Sequence, residues 1–522
     1  MSEPVRLPEI VEPAVNDVTH GEIRFVTSRE APSAAARWWR IADFGVLGAW
    51  LAVVAFTLQY HEKWADEAQA WLLARDLDLK TIWFHELRYE GSPGLWHTVL
   101  WVAQHVFHAR YDALGYIGMA GATAGAALLI FKAPFPRYIR WPLSFTYFMV
   151  YQYAVIARPY TLLPLLAFAA AMLFRDVEHP ERMTIVLALL ANLSLHGTIL
   201  AGCLGLVYVL DAYRERAKLD ARVRRKYWIC IGVMAAVFVF IVLILKPTPD
   251  IEEFALKREF AQLSPEAQAQ LQVPTVLRKL TTITSGAFLD WIAPSVAFVL
   301  LTAAWCFMRR RLLLFAISVG SMSLFYAKIH GAPHHHGTAF VAALMVVWIA
   351  WPSSTERSTF DLHQTRALQG VIALLLCLCG LNIWDAGIVT YREYRYPYSG
   401  AEDAANYIRT VGANENPMFG FLMGVAAVQA YFDHNILSNI PTTYFHHGTP
   451  VAGTNLDIDQ LQKVSPKYIL VYTQDPDLTF RVDIPTLRSE GYEIVHFSDG
   501  YYLYKRAVFE RDTYFILRRV RP

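Results

Sequence analysis

Charge is scarce in this chain: Asp, Glu, Lys and Arg make up only 18% of its 522 residues, against 55% hydrophobic. A water-soluble globular protein of this size is excluded by that balance. Repeated apolar runs of about 16–22 residues mark a polytopic helical membrane protein instead. Cysteine is scarce too. Cys203, Cys230, Cys306, Cys377 and Cys379 all fall inside apolar runs, so neither a disulfide framework nor a thiolate metal site is implied. No glycine-rich phosphate loop is present, which argues against a nucleotide-sugar donor at the cytoplasmic face. The net charge of +2 gives no reason to expect a nucleic-acid partner. The stretch before Arg37 has no apolar h-region and no small-residue cleavage site. It reads as a cytoplasmic tail (residues 1–40), with the first span an uncleaved anchor. Neither an internal repeat nor a low-complexity tract is visible.

What is present is a series of apolar runs separated by basic loops. The first, near 43–59, follows Arg37 and Arg40 and is expected to run outward. A long loop, 60–112, comes next. Within it, Leu95 to Ala109 is apolar but carries His97, Gln104, His105 and His108, and it reads either as a short span or as a helix lying in the interface. Charge decides between them. With 95–109 flat, ten further spans follow, near 113–131, 141–157, 159–174, 184–197, 198–213, 228–246, 290–307, 312–327, 338–351 and 368–386. Lys132/Arg137/Arg140, Arg175/Arg182, the run Arg214–Lys226, Arg309–Arg311 and Arg357/Arg366 then all face the cytoplasm. The opposite assignment exports nearly all of that charge.

This topology makes 41–388 a transmembrane domain with a second exported loop at 247–289. Residues 389–522 become a small extracytoplasmic α/β domain, with strands expected at Met418–Met423, Tyr468–Tyr472 and Tyr492–Lys505. Gly115, Gly118, Gly121 and Gly125 suggest close helix packing along one span. The basic run Arg214–Lys226 anchors topology and touches anionic lipid.

The unusual polar residues gather on one side: Asp66/Glu67, Arg75, Glu90, Arg158, His196, Lys328, His330 and His334–His336. The centres of the spans carry almost no charge, whereas an ion-coupled transporter normally places ionisable groups near the midplane. Each feature also has a plainer reading. An Asp-Glu pair at a helix start is often a cap. An arginine before a proline often reaches back to the headgroups. Consecutive histidines on a helix point in different directions, which disfavours a shared metal. Trp64, Trp71, Trp83, Trp96 and Trp101 of the first loop read as an interfacial belt.

Three motifs together resemble a known family. "DEAQAWLLARD" at 66–76, "YEGSPGLWH" at 89–97 and "YAVIARPYTL" at 153–162 look like the Asp-Glu helix, the Glu-Gly-His-Pro-Pro turn and the Arg-Pro-Tyr/Asp motif of GT-C type membrane glycosyltransferases. The resemblance is in particular to the bacterial relatives of protein O-mannosyltransferases and aminoarabinose transferases, and it covers essentially the whole chain. Ser92 and Gly94 depart from the turn motif, and "KIHGAPHHHG" departs from the family's third site.

The resemblance implies a GT-C fold of about eleven transmembrane helices plus interfacial helices, in the inner membrane, with the C-terminal domain periplasmic. It implies transfer of a sugar from a polyprenyl-phosphate carrier to a hydroxyl on a lipid, protein or polysaccharide, with inversion. Asp66 is then the expected general base. Glu67, Arg75, Tyr89, Glu90, Arg158, Tyr160, His196, Lys328, His330, His334 and His335 are the expected substrate-binding residues. No cofactor is required, although a divalent ion held by Asp66, Glu67 and His335 is chemically permitted. Two alternatives use the same aromatic and basic residues: a non-enzymatic flippase or binding protein for lipid-linked saccharides, and a glycan ligase with a lipid-diphosphate donor.

Overall fold

The computed structural model describes residues 34–250, 265–328, 333–446, 456–474 and 484–520. Met1–Ala42 separates as a small unit, described from Ala34 onward as helix, and Asp43–Pro522 forms the other. Helices of ten or more residues are numbered in chain order. The first, α1, is Ala34–Leu58; α2 (Ala65–Asp76) and α3 (Leu95–His105) occupy the first loop; α4 is Leu114–Lys132. Then come α5 (Leu163–Leu173), α6 (Pro180–Ala191), α7 (Leu195–Arg214) and α8 (Ala221–Ile244). The bundle continues through α9 (Pro265–Ala287), α10 (Ile292–Met308), α11 (Leu312–Lys328), α12 (His336–Ala350) and the 34-residue α13 (Leu362–Arg395).

Among the described residues, five helices, reaching Leu58, Lys132, Arg214, Ile244 and Arg395, are long and apolar enough to cross a membrane, or six if the pair Val276–Ala287 and Ile292–Met308, bent by 78°, counts as one. The chain is a multi-pass membrane protein. The expected spans near 159–174, 312–327 and 338–351 appear as shorter apolar helices. The span expected at 141–157 is not one helix. Pro142 lies inside Arg137–Ser144, where it removes a backbone donor, and the chain re-forms as a single wide turn at Phe148–Gln152.

The four glycines of α4 do what their spacing suggests. A Cβ at Gly118 would lie 3.3 Å from Ala157 Cβ and Thr161 Cγ2, one at Gly125 would lie 2.9 Å from the Leu165 backbone nitrogen, and one at Gly121 would collide with Leu162. Glycine therefore lets α4 lie directly against the segment that carries Arg158.

Beyond α13 the chain forms α14 (Ala401–Thr410) and a four-stranded sheet. Its strands are β1 (Met418–Phe421), β2 (Tyr468–Thr473), β3 (Tyr492–Tyr504) and β4 (Ala507–Arg519), in the order β1-β2-β4-β3. The β1–β2 pair is parallel and the other two pairs are antiparallel. β4 was not expected. Its apolar alternation is broken by Glu510-Arg511-Asp512, yet Asp512 is fully buried and accepts hydrogen bonds from Ser399 and Tyr502. Burial pushes the Asp512 carboxyl up to about 6, against the pull of those hydroxyls.

One polar network ties the first loop to the bundle. His61 Nε2 lies 3.0 Å from Glu67 Oε2, and His61 Nδ1 lies 3.0 Å from Glu393 Oε1 on α13. Tyr151 donates to the same Glu393 oxygen, and the Ala157 backbone N–H donates to Glu67 Oε1 at 2.7 Å. Burial works against charge on His61, but the two carboxylates win and raise it to about 10. Next to it, burial and then the charge of Glu402 push the Glu62 carboxyl up to about 8.

Two outcomes follow from these contacts. Folded-state proton affinity is raised at both groups, so stability falls as pH rises: through about 8 for Glu62 and through about 10 for His61. Thermal unfolding in detergent is expected to show both legs, and His61→Gln to flatten the pH 8–10 leg while costing about 3–5 kcal/mol at neutral pH. Gly125→Leu, which drives a side chain into the Leu165 backbone, is expected to lower stability by about 1–3 kcal/mol in the same assay.

Candidate functional site

Helix α2 begins right after the His61 clamp. Glu67, its third residue, accepts the Trp64 backbone N–H at 3.3 Å, so it caps the helix as well as holding His61. The capping expected of the acidic pair therefore belongs to Glu67, which is fully buried and does not face a substrate. From Ala65 to Ala74 every residue is buried except Asp66. Over these ten residues the helix presents a single carboxylate, Asp66, to an open edge.

Arg158 meets that carboxylate. Its guanidinium lies 3.0 Å from Asp66 Oδ2, with the two side chains 18% and 24% exposed. Another of its nitrogens lies 2.7 Å from His334 Nε2. Trp64 and Tyr160 flank it, their ring centroids 5.5 and 5.7 Å away. The backbone at Arg158 is extended, as the proline at 159 requires, which turns the side chain out of the helical path. Burial opposes its charge, but Asp66 and then Tyr160 and Glu67 raise its proton affinity further.

A ring cluster adjoins the pair. Tyr160 and His196 share a 3.1 Å hydrogen bond, and His335 packs within 4.9 Å of His196 and 5.6 Å of Tyr160, measured between centroids. Tyr326 stacks on His335 at 5.7 Å. Burial, followed by the nearby charges of His334, His196 and Arg158, holds His335 well below the usual histidine range, so it sits there neutral. The three consecutive histidines do diverge: His334 points to Arg158, His335 into the rings, and His336 to Tyr504 at 3.2 Å.

Glu90 is held by Gln69, which stands about one helical turn after Asp66. Gln69 donates to it at 2.8 Å, and the buried His97 lies 3.8 Å away. Gln69 also exchanges hydrogen bonds with the Phe445 backbone, which ties the turn to the C-terminal domain. Two expected site residues point elsewhere. Arg75 pairs with Asp76 at 2.6 Å and donates to the Phe432 carbonyl, so it docks the C-terminal domain. It lines a cavity of about 420 Å³, which opens on the side of α2 opposite Asp66. Tyr89 stacks on His446 at 4.0 Å and hydrogen-bonds Asp250. The Lys328 side chain and His330 lie outside the described residues.

Three features of the site were not expected from the sequence. Trp64 covers Arg158, and Tyr502 of β3 packs against Trp64 at 4.5 Å. Glu510 of β4 pairs across the sheet with Tyr502, and its carboxyl is raised by burial and then by the charge of Asp66. Trp71 and Trp96 are core residues, 2% and 1% exposed, where an interfacial belt was expected, because α2 and α3 pack on each other and on the C-terminal domain. No other part of the site was missed so completely as the contribution of β3 and β4.

Among the described residues no three His, Cys, Asp or Glu side chains gather as a metal site. Of the three donors considered, Glu67 spends both oxygens on protein partners and His335 is stacked among rings. Asp66 is itself paired with Arg158, so the donor set does not fit a protein-held ion.

No family model matches the chain. A human protein named probable proton-coupled zinc antiporter SLC30A4 is 28% identical over 107 residues, which is 20% of this chain and 24% of the antiporter. The chain thus spans about a quarter of that relative. Two crystal structures of ArnT from Cupriavidus metallidurans match almost throughout. The apo form has a TM-score of 0.52 at 16% identity, covering 93% of this chain and 99% of its own. The form bound to undecaprenyl phosphate has a TM-score of 0.52 at 15% identity, covering 93% and 98%. The bundle, first loop and C-terminal sheet described above together have the ArnT fold of GT-C type.

Proposed function

We propose that this chain is a membrane glycosyltransferase that moves a sugar from a polyprenyl-phosphate carrier to an acceptor hydroxyl at the extracytoplasmic face, with inversion. The observation that carries the reading is the open Asp66–Arg158 pair, set beside the buried stretch Glu67–Ala74 and flanked by His334. The fold supports it as well, since ArnT of the same fold was solved with undecaprenyl phosphate.

The chemistry needs a base and an anion-stabilising cation a short distance apart. Asp66 takes the acceptor proton as the acceptor oxygen bonds to the anomeric carbon. The bond from that carbon to the carrier phosphate breaks, and its electron pair leaves with the phosphate. Arg158 then trades Asp66 for the phosphate oxygens. In a site screened by Trp64 and Tyr160, a fixed guanidinium stabilises that charge far better than water does. Glu90, steadied by Gln69, holds sugar hydroxyls in this reading. Glu67 positions Asp66 and does not touch substrate. We further propose that the reaction uses no protein-held metal.

Asp66→Asn keeps a hydrogen-bond partner for Arg158 but cannot accept a proton. The expected result is a roughly 10²–10⁴-fold drop in turnover with donor binding little changed. In cells, mass spectrometry of lipid-linked sugars is expected to show a polyprenyl-monophosphate sugar accumulating in the variant only. Unchanged lipids with normal glycan output would remove Asp66 as base and favour a flipping or binding role. Chelation with EDTA is expected to leave turnover of the purified enzyme unchanged, and restoration of a lost rate by added divalent ion would refute the metal-free reading.

A further inference from the structure

A groove runs between α6, α7 and α8, far from Asp66. Its wider part, about 290 Å³, is lined by Leu187, Gly202, Met234 and Phe238 among other apolar residues. It shares Val209, Tyr227 and Ile231 with a second cavity of about 140 Å³, which ends at Arg216 and Arg224. The tyrosine hydroxyls that border it are spent elsewhere. Tyr208 donates to the Asp176 carbonyl at 2.8 Å and Tyr227 to the Val177 carbonyl at 3.1 Å, so both offer only their rings.

We propose that this groove binds one acidic phospholipid of the surrounding bilayer, with an acyl chain along the groove and the phosphate against Arg216 and Arg224. Three observations select that occupant. The first is length: Gly202 to Arg216 spans about 20 Å along the helix path, close to the depth of one leaflet with its headgroups. The second is charge. Seven cations, Arg214, Arg216, Lys218, Arg222, Arg224, Arg225 and Lys226, lie at this end against Glu181, Asp211, Glu215 and Asp220; Arg214 pairs with Asp211 and Lys226 with Glu181, while Arg216 and Arg224 line the cavity. Arg216 stacks on Tyr213 at 4.0 Å with its hydrogen bond to a carbonyl, and Arg224 is exposed. The third is the aromatic rim of exposed Tyr213 and Trp228, suited to the headgroup level. The site is distinct from the transferase centre. His196 and Arg214 mark opposite ends of α7, about 27 Å apart.

The test uses the purified full chain in nanodiscs of phosphatidylcholine doped with phosphatidylglycerol, with retained lipid counted by native mass spectrometry. Wild type is expected to retain one phosphatidylglycerol in preference to phosphatidylcholine. Arg216→Gln with Arg224→Gln is expected to cut that preference roughly tenfold or more. Gly202→Leu is expected to lower retention of both lipids. Its Cβ would lie 3.6 Å from the Phe238 ring, so the rest of the side chain fills the groove without breaking the packing. Thermal unfolding midpoints within a few degrees of wild type show that the variants are folded. Equal retention of the two lipids by wild type would overturn the proposal, as would an unchanged preference in the double arginine variant. Capture of a polyprenyl phosphate in place of a phospholipid, on purification from native membranes, would overturn it too.

Discussion

The structure depends on a histidine held between two buried carboxylates. His61 closes the gap between α1 and α2, and it reaches Glu67 on one side and Glu393 on the other. Through Glu67 the clamp also takes the Ala157 backbone N–H, one residue before Arg158. Three distant stretches of chain thereby meet at one charged group, and none can shift without uncovering a buried charge. Removing one partner from such a set costs about 3–5 kcal/mol, far more than a surface pair. The geometry has a direct result for the site. Neighbouring residues on a helix point about 100° apart, so turning Glu67 inward turns Asp66 toward the open edge, where Arg158 stands.

The two acid–base pairs of this corner are built for different tasks. The Glu67–His61–Glu393 set is sealed and fully satisfied on the Glu67 side, which suits a permanent joint. The Asp66–Arg158 pair is partly open, and its guanidinium has a second partner in His334. A partly solvated ion pair is cheap to exchange for another anion. A sealed one is not. Fixed charge beside exchangeable charge is what a site needs if it is to trade a carboxylate for a phosphate without losing its shape.

Much of this corner was legible in the sequence. Asp66, Arg158 and the His334 region could be found because charge at the edge of an apolar run needs a reason, and because three such edges shared one side. What could not be read was which of two adjacent acids would be buried: Asp66 and Glu67 look alike until His61 and the Ala157 N–H supply partners 6 and 90 residues away. The partners of Arg75 and Tyr89 could not be read for a similar reason. Those partners, the Phe432 carbonyl and His446, lie in a domain that begins more than 300 residues later. Strand β4 stayed hidden because Asp512 sits where an apolar residue was expected, and hydroxyls, those of Ser399 and Tyr502 among them, offset its burial. The helix count was blurred by Pro142 and the wide turn at Phe148–Gln152, which divide an apolar run that reads as continuous.

The C-terminal sheet is a wall of the site as well as a domain. At the β3–β4 turn, Lys505 and Arg506 reach Asp290, between α9 and α10, and Asp385 on α13. Two cations against two carboxylates make a neutral set, which is the condition for burying Lys505 almost completely. With the turn anchored there, the inner face of the hairpin has little freedom. Tyr504 is brought to His336, Tyr502 to Trp64, and Glu510 close enough to Asp66 to feel its charge. The ring that covers Arg158 is thus supported from the sheet, and the open edge of α2 faces strands as well as helices. A change in the hairpin tip would be felt at Asp66 through Tyr502 and Trp64, so the sheet and the bundle set the shape of the site jointly.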